Sequence, residues 1–434
     1  MSPTLIGIIG LIALFLLIFS KMPVGFVMTL VGFVGVSSIL TIDAGFITVA
    51  TLFYDQFKSY NLTVIPLFIL MGQIAFHAGI SSRLFTVAYR FIGHWPGGMA
   101  IATVGACAGF SAICGSTNAA AATMASVTLP EMRKYNYQDN IATGVVAAGG
   151  SLGILVPPSV VFILYGILTE QSIGKLFVAG VIPGILLTLL FVLAVLIWVI
   201  ARPEIAPKAP KSTLAERIAS LSGLIETLLL FVLVMGGLFT GFFNAPEAGA
   251  IGAFGTLVIA LIRRNIGWKG FVQSLNETTR ISCMILVIVA GASVFGQFLA
   301  LTQIPFDIAN WVAGTGLPPF GVMGLIILVY LIGGCFIDAL ALIMLTVPIF
   351  YPVIDSMGFN PLWFGVLIVL VTQIGVITPP VGINVYVVRS VAWDVPLRTI
   401  FTGVLPFFLA LIIATLLVIL FPQIALLLPE MMPK

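Results

Sequence analysis

Residues 153–158 read GILVPP, and residues 375–380, which lie 222 positions later, read GVITPP. Two consecutive prolines remove two backbone N–H donors and clash with the preceding helical turn, so each tract predicts a break in an apolar helix. The first half-helix is expected to end near residues 153–156 with free carbonyl oxygens, which suit a hard cation such as Na⁺. The second half-helix is expected to begin on proline, and the positive end of its dipole suits an anionic group.

Other tracts repeat at nearly the same separation. The matching pairs are AGVIP at 179–183 with TGVLP at 402–406, TLP at 128–130 with TVP at 346–348, and the amphipathic segment 45–58 with 267–280. Matches in constant order and at nearly constant offset indicate an internal duplication. The sequence therefore predicts a first repeat over 1–202, a polar linker over 203–221 and a second repeat over 222–434.

Composition places the chain in a bilayer. It has 434 residues, of which 60% are hydrophobic and 8% charged, with a mean hydropathy of +1.22. Soluble domains carry about 25% charged residues, so a soluble enzyme is excluded. A net charge of +3, with the basic residues scattered, gives no basis for a nucleic-acid partner. The four cysteines lack CxxC spacing and are expected to be free, buried thiols.

Two apolar stretches are too long for a single crossing of about 30 Å of hydrocarbon. They cover residues 100–132 and 322–355, and they are interrupted by CGSTN at 114–118 and by GGCFID at 333–338. Each is predicted to be a re-entrant hairpin, because irregular backbone at membrane depth is tolerated only where protein or a cavity satisfies it. The single crossings are predicted at 5–20, 24–41, 62–79, 141–168, 176–200, 224–243, 248–262, 282–301, 364–391 and 404–427.

The predicted fold is an all-α integral membrane protein with two inverted-topology repeats. Each repeat has one hairpin and one proline-broken helix, at 141–168 and at 364–391. Five crossings per repeat is an odd number, so the second repeat must be inverted. This arrangement puts fifteen of the 18 basic residues on one side, which is then the cytoplasmic side. Only Lys58, Lys175 and Lys434 fall on the other side, which also holds both termini.

Inverted repeats with paired broken helices are typical of secondary transporters, whose binding sites lie near the bilayer midplane. The first hairpin tip offers Gly115 and the polar side chains of Ser116, Thr117 and Asn118, which need partners at membrane depth. These groups either bind a ligand or hydrogen-bond neighbouring helices. In the second hairpin, Gly333 precedes Asp338, which is either a functional carboxylate or the cap of a half-helix.

The helix breaks supply a second set of candidates for binding the substrate or the ion. They are Gly153, Val156, Pro157, Pro158, Gly375, Thr378, Pro379 and Pro380, with Asn384 added by proximity. Na⁺ sites are predicted among Gly153, Val156, Ser116, Gly375 and Thr378. The alternative for each break is a plain proline kink. No cofactor other than the coupling ion Na⁺ is predicted.

Three charged residues are given structural roles. Glu226 lies near a predicted helix start, where the dipole favours an acid, and is expected at a helix end. Arg83 and Arg90 are expected at the cytoplasmic interface.

Two long tracts closely resemble the large membrane subunit of TRAP transporters, the tripartite ATP-independent periplasmic or DctM-type systems. They are GGSLGILVPPSVVFILYGILTEQSIGKLFVAGVIPG at 149–184 and FIDALALIMLTVPIFYPVIDSMGFNPLWFGVLIVLVTQIGVITPPVGINVYV at 336–387, and the resemblance runs essentially end to end. It implies an elevator-type permease in the bacterial inner membrane that is coupled to Na⁺. It also implies two partners, a small four-helix membrane subunit and a periplasmic binding protein that delivers a small organic anion. Some members carry an acid shortly after the first hairpin's Gly-Ser, whereas Ala120 and Ala121 stand here, which argues against an acidic ligand at that tip.

Other functions remain less favoured. A stand-alone divalent-anion/Na⁺ symporter shares this plan and would need no binding protein. An intramembrane enzyme would need HExxH, a paired-Asp or a Ser/His arrangement at depth, and the sequence has none. The resemblance suggests a carboxylate such as a C4-dicarboxylate, a sialic acid or a 2-oxo acid, and no residue chooses among them.

Overall fold

The computed structural model describes residues 2–20, 22–314 and 318–432. Lys21 and Lys434, which enter the charge count above, lie outside these ranges. Within them the chain is helical and contains no strand. The helices of the first half are α1 Pro3–Phe19, α2 Val24–Ile39, α3 Ile42–Lys58, α4 Val64–His77, α5 Ile80–Ile92, α6 Gly98–Cys114, α7 Thr117–Lys134, α8 Asp139–Ser151, α9 Val160–Leu168 and α10 Ile173–Ala201. Those of the second half are α11 Leu214–Phe239, α12 Ala245–Ile262, α13 Trp268–Thr302, α14 Ile304–Gly314, α15 Pro319–Gly334, α16 Ala339–Ser356, α17 Pro361–Ile377, α18 Ile383–Val391, α19 Leu397–Leu420 and α20 Gln423–Glu430.

The predicted all-helical membrane class is confirmed. Among the described residues, seven helical segments are long and apolar enough to cross a bilayer. Their outward faces carry large apolar side chains such as Leu189 and Val232, which are more than half exposed. Such faces are unfavourable in water and favourable against lipid.

Both long stretches turn where the sequence predicts a turn. Between α6 and α7, Gly115 adopts φ +64°, a conformation that glycine accepts without strain, and the Ser116 side chain caps α7. Between α15 and α16, the Asp338 side chain caps α16 by accepting a 3.1 Å hydrogen bond from the Leu340 amide.

The start of each second half-helix differs from the prediction. Neither α9 nor α18 begins on proline. Val160 opens α9 after Ser159, whose hydroxyl accepts from the Phe162 amide, and Ile383 opens α18 after Gly382 at φ +61°. The Ser159 hydroxyl accepts a hydrogen bond from a backbone amide of the first turn, which a proline side chain cannot do. Gly382 adopts a left-handed backbone conformation that other residues rarely take.

A second difference lies in α13. The sequence predicts a separate interfacial segment at 267–280 before a crossing at 282–301, but α13 runs unbroken from Trp268 to Thr302. In the first half the corresponding helices α3 and α4 are separated by a short 3₁₀ turn over Tyr60–Thr63. The difference follows from proline. Pro66 is tolerated in the first turn of α4, because the N–H that it lacks has no partner there, so a new helix begins close to it. No proline occurs within α13, so that helix continues.

The two halves are interleaved rather than side by side. α2 of the first half packs along α13 of the second, and α12 of the second packs along α4 of the first. In the same reciprocal way α8 contacts α19 and α10 contacts α17. The segment predicted as a linker is packed as well, because the Gln138 amide donates to the Ile205 carbonyl, and α11 begins inside it at Leu214 behind a capping box of Thr213 and Glu216.

Glu226 does not lie at a helix end. It sits in the middle of α11 and is 7% exposed, with Arg83 Nη2 at 3.0 Å and Arg263 Nε at 2.7 Å. Two guanidinium groups offset the cost of burying its carboxylate. The cluster therefore fastens α5 and α12 to α11.

The thiols also depart from expectation. All four are free, as predicted, and Cys107 and Cys114 are buried. Cys335 is half-buried, and Cys283 is exposed because it faces the cavity described next.

Candidate functional site

A cavity of about 900 Å³ lies where the two hairpins meet. Its first wall consists of the hairpin tips, with Ile154, Val160 and Ile383 from the ends of the helix breaks. Its second wall is formed by α2, α4 and α13. Four predicted residues of the first tip, Gly115 to Asn118, line it together with Asp338 of the second tip.

The two tips face each other with polar side chains. Asn118 of the first tip lies beside the Asp338 carboxylate of the second, and the Thr117 hydroxyl donates to the Asn118 side-chain oxygen at 3.4 Å. Asp338 is half-buried and faces the cavity, while it also caps α16. The two roles considered for Asp338 are thus compatible in one geometry.

Each tip also packs against the helix break of its own half. A Cβ on Gly153 would lie 2.5 Å from the Ser116 carbonyl oxygen, and one on Gly375 would lie 2.5 Å from Gly334. Real Cβ atoms do not approach so closely, so only glycine permits these contacts. Two predicted candidates for Na⁺, Ser116 and Gly153, are therefore adjacent.

Several predicted residues lie outside the cavity wall. Val156 packs against Gly184 of α10, and Gly333 packs against Leu342. Pro158 is buried and lies next to Gly115. Pro157 is buried, whereas Pro379 and Pro380 are exposed. The Thr378 hydroxyl donates to the Ile374 carbonyl, and the buried Asn384 donates to the Ala147 carbonyl at 3.1 Å.

The structure also identifies residues that the sequence interpretation missed. Gly334, rather than Gly333, contacts Gly375. The sequence held a signal for this residue: the TLP and TVP tracts are 218 positions apart, and Gly334 lies 218 positions after Ser116 of the first hairpin tip. Gln373, fully buried, donates to the Ser151 carbonyl. Gln73 of α4 brings a polar side chain to the opposite wall, and no pattern in the sequence marks it.

The charge of the cavity is one-sided. Among the described residues that line it, Asp338 is the single carboxylic acid, and none is Lys, Arg or His. A smaller pocket of about 230 Å³ shares Gln73 with the cavity and reaches Glu277, whose carboxylate lies 3.4 Å from His77 Nε2. An anion in the cavity therefore meets the Asp338 carboxylate and no Lys, Arg or His among the described lining residues.

An ion pair at the base of the first hairpin joins it to the second broken helix. Arg133 donates to both carboxylate oxygens of Asp394 at 2.9 and 2.8 Å. These hydrogen bonds hold the pKa of Asp394 below its ordinary value. The pair connects α7 to the segment between α18 and α19.

Comparison with known proteins gives consistent results. Residues 11–424 match the family model of the tripartite ATP-independent periplasmic transporter, DctM component. The chain is 36% identical to the C4-dicarboxylate TRAP transporter large permease protein DctM of Pseudomonas aeruginosa, over 87% of this chain and 88% of that one. It is also 36% identical to the sialic acid TRAP transporter large permease protein SiaM of Vibrio cholerae, over 96% of both. The YdaH transporter of Alcanivorax borkumensis has a similar fold, with a TM-score of 0.63, 15% identity, and coverage of 90% of this chain and 88% of that one.

Proposed function

The chain belongs to the family of DctM components of tripartite ATP-independent periplasmic transporters, and on that premise we propose that it is the large permease subunit of a Na⁺-coupled importer of a small organic anion. The anion is delivered by a periplasmic binding protein and crosses by an elevator movement. A small four-helix membrane subunit completes the complex in the bacterial inner membrane, with both termini of this chain on the periplasmic side.

The observation that carries Na⁺ coupling is the unbalanced charge of the cavity. An organic anion beside Asp338 is repelled at the low dielectric of a membrane interior, and no basic side chain among the described lining residues offsets that repulsion. A bound Na⁺ neutralises the Asp338 carboxylate and removes this repulsion. The amino ends of α7 and α16, which open onto the same cavity, add positive dipole ends for the substrate carboxylate.

Two orphaned oxygens behind the cavity support a cation in the same region. The side-chain oxygens of Gln373 and Asn384 are buried without a hydrogen-bond donor. Both amides direct their nitrogen to carbonyls of α8, those of Ser151 and Ala147. A buried acceptor without a partner costs about 1–3 kcal/mol, and a cation of Na⁺ type would supply what these oxygens lack.

The packing supports an elevator movement. The hairpins pack on the helix breaks through Gly153 and Gly375, and Asn118 of one tip lies beside Asp338 of the other. The facing wall of α2, α4 and α13 presents mostly apolar side chains to the cavity. The hairpins and helix breaks therefore form one closely packed unit. Because this unit meets α2, α4 and α13 mostly across apolar surface, it can slide along them without breaking polar contacts.

The test is uptake into proteoliposomes that contain both membrane subunits, with the binding protein outside. Accumulation is expected with an inward Na⁺ gradient and without ATP. Accumulation that is undiminished when choline replaces Na⁺ would refute the coupling. Uptake by this chain alone, without the binding protein, would instead favour the stand-alone symporter.

A further inference from the structure

The cavity is poor in polar side chains. Of the described residues that line it, five carry a side chain with a polar oxygen or nitrogen, and four of these lie on the hairpin tips. The opposite wall contributes apolar groups such as Phe26, Ile69, Met284 and Ile288, with Gln73 as its one polar side chain among the described lining residues.

The polar groups of the tips already have partners. The Ser116 hydroxyl accepts from the Ala119 amide, and the Thr117 hydroxyl donates to Asn118. The Asn118 side-chain oxygen is the acceptor of that bond, and the Asp338 carboxylate accepts from the Leu340 amide. A ligand that brings many hydroxyl groups into the cavity therefore finds few partners for them.

From this lining we propose that the transported anion is a monocarboxylate with an apolar body, such as an aliphatic 2-oxo or fatty monocarboxylic acid. The carboxylate lies at the hairpin tips, and the apolar body lies against α2, α4 and α13. This inference rests on the proposed transport function and narrows its substrate class.

Two other substrate classes fit the cavity less well. A dicarboxylate brings a second negative charge, and the described lining offers it no basic side chain. A polyhydroxylated acid such as a sialic acid loses water from several hydroxyl groups, and an unpaired polar group is costly when it leaves water. The equal 36% identity to a C4-dicarboxylate permease and to a sialic acid permease favours neither class.

The binding protein selects substrates too, so the cavity is tested without it. The thermal midpoint of the purified membrane complex is measured in Na⁺ against straight-chain 2-oxo acids of three to six carbons, succinate and N-acetylneuraminic acid. The half-maximal concentration is expected to fall about threefold to fourfold for each added methylene, and succinate and N-acetylneuraminic acid are expected to bind at least tenfold more weakly than the six-carbon acid.

Equal or tighter binding of succinate or N-acetylneuraminic acid would overturn the proposal, as would the absence of binding or of any dependence on chain length among the monocarboxylates. A separate measurement tests the transport function itself. If the complete system accumulates succinate or N-acetylneuraminic acid in a Na⁺ gradient, the function stands and the substrate class is wrong. If no acid is accumulated, the function fails.

A matched pair of variants on α13 locates the apolar contact. Met284 lines the cavity and is half exposed, whereas Leu286, two residues further along, does not line it. Met284→Gln is expected to weaken binding of the six-carbon acid at least threefold and to leave the three-carbon acid unchanged. Leu286→Gln is expected to change neither. Equal effects of both variants would contradict the placement of the apolar body against this wall.

Discussion

Gln373 donates a 2.9 Å hydrogen bond to the backbone oxygen of Ser151, the residue 222 positions earlier in the chain. The same separation relates the GILVPP and GVITPP tracts. The bond therefore joins positions that the predicted duplication makes equivalent, one turn before each helix break. Both residues are fully buried, so the contact holds the two broken helices together where solvent cannot replace it.

Replacing Gln373 with leucine is expected to lower the thermal midpoint of the purified protein. In Na⁺, where the proposed cation satisfies the Gln373 oxygen, the change leaves the Ser151 carbonyl buried without its side-chain donor, which costs about 1–3 kcal/mol. Thr372→Val is the matched control, because the Thr372 hydroxyl only donates to the Ile368 carbonyl within its own helix. A similar drop in both variants would show that the bond between the halves has no special role.

Gly153→Ala and Gly375→Ala are each expected to destabilise the protein by about 1–3 kcal/mol through overpacking and to reduce uptake. In each case the new methyl group would collide with a hairpin tip, at Ser116 or at Gly334. Gly296→Ala in α13 is the control, since a Cβ there meets nothing within 4 Å. That control is expected to be neutral or to stabilise by up to about 1 kcal/mol. Normal midpoints and uptake for the first two variants would refute the close packing of tips on breaks.

Local signals account for the features that the sequence predicted well. Paired prolines, and polar or glycine residues inside apolar stretches, end helices through the chain's own backbone, so the breaks at 115–116 and 335–338 were visible without tertiary information. The start of α9 was not, because a single serine hydroxyl at Ser159 decides where the half-helix begins.

Features that depend on distant partners were hidden. Glu226 reads as a helix-end acid until Arg83 and Arg263, from two other helices, are brought to it. Gly333 and Gly334 are indistinguishable in sequence, and only the approach of Gly375 selects the second. The prediction of a separate segment at 267–280 was wrong. The hydrophobic pattern shows where the chain passes from the membrane interface into the apolar interior, but a helix continues through that point unless its backbone is interrupted, and α13 is not.

Asp338→Asn is expected to abolish Na⁺-dependent uptake with little change in the thermal midpoint. Asparagine keeps an oxygen for the Leu340 amide but loses the charge that would hold a cation. Asp355→Asn, at the exposed end of the same helix, serves as the control and is expected to transport normally. Full uptake by Asp338→Asn would leave Asp338 as a replaceable cap.

The first hairpin tip allows a parallel measurement. Ser116→Ala, Thr117→Ala and Asn118→Ala are each expected to raise the Na⁺ concentration needed for half-maximal uptake. If these groups only join helices, their loss should cost about 0.6 kcal/mol on average and leave the Na⁺ dependence unchanged. A lowered midpoint with normal Na⁺ dependence would therefore remove them from the proposed site.

Glu226→Gln is expected to destabilise the protein by about 3 kcal/mol, because breaking a buried ion pair leaves uncompensated charge on its partners. The value falls at the low end for such pairs, since Arg263 is 45% exposed and stays partly hydrated. Glu216→Gln is the control. Glu216 pairs with Arg90 at 2.9 Å on the surface, where ion pairs contribute about 0–1 kcal/mol. Equal thermal shifts for the two variants would argue that the buried cluster does not fasten α5 and α12 to α11.

The segment between the two halves is expected to face the cytoplasm, as the distribution of fifteen basic residues against three requires. The measurement is labelling of Ser212→Cys with an impermeant maleimide, in a background where the exposed Cys283 is replaced by serine. Ser172→Cys, exposed just before α10 and close to Lys175, marks the opposite side. In intact cells the label is expected on position 172 and not on position 212, and permeabilisation is expected to label both. If a hairpin crossed the bilayer fully, the charges after it would change sides and the bias would weaken, so the labelling tests the hairpins as well as the orientation. Labelling of position 212 in intact cells at the rate of position 172 would refute the cytoplasmic placement of this segment.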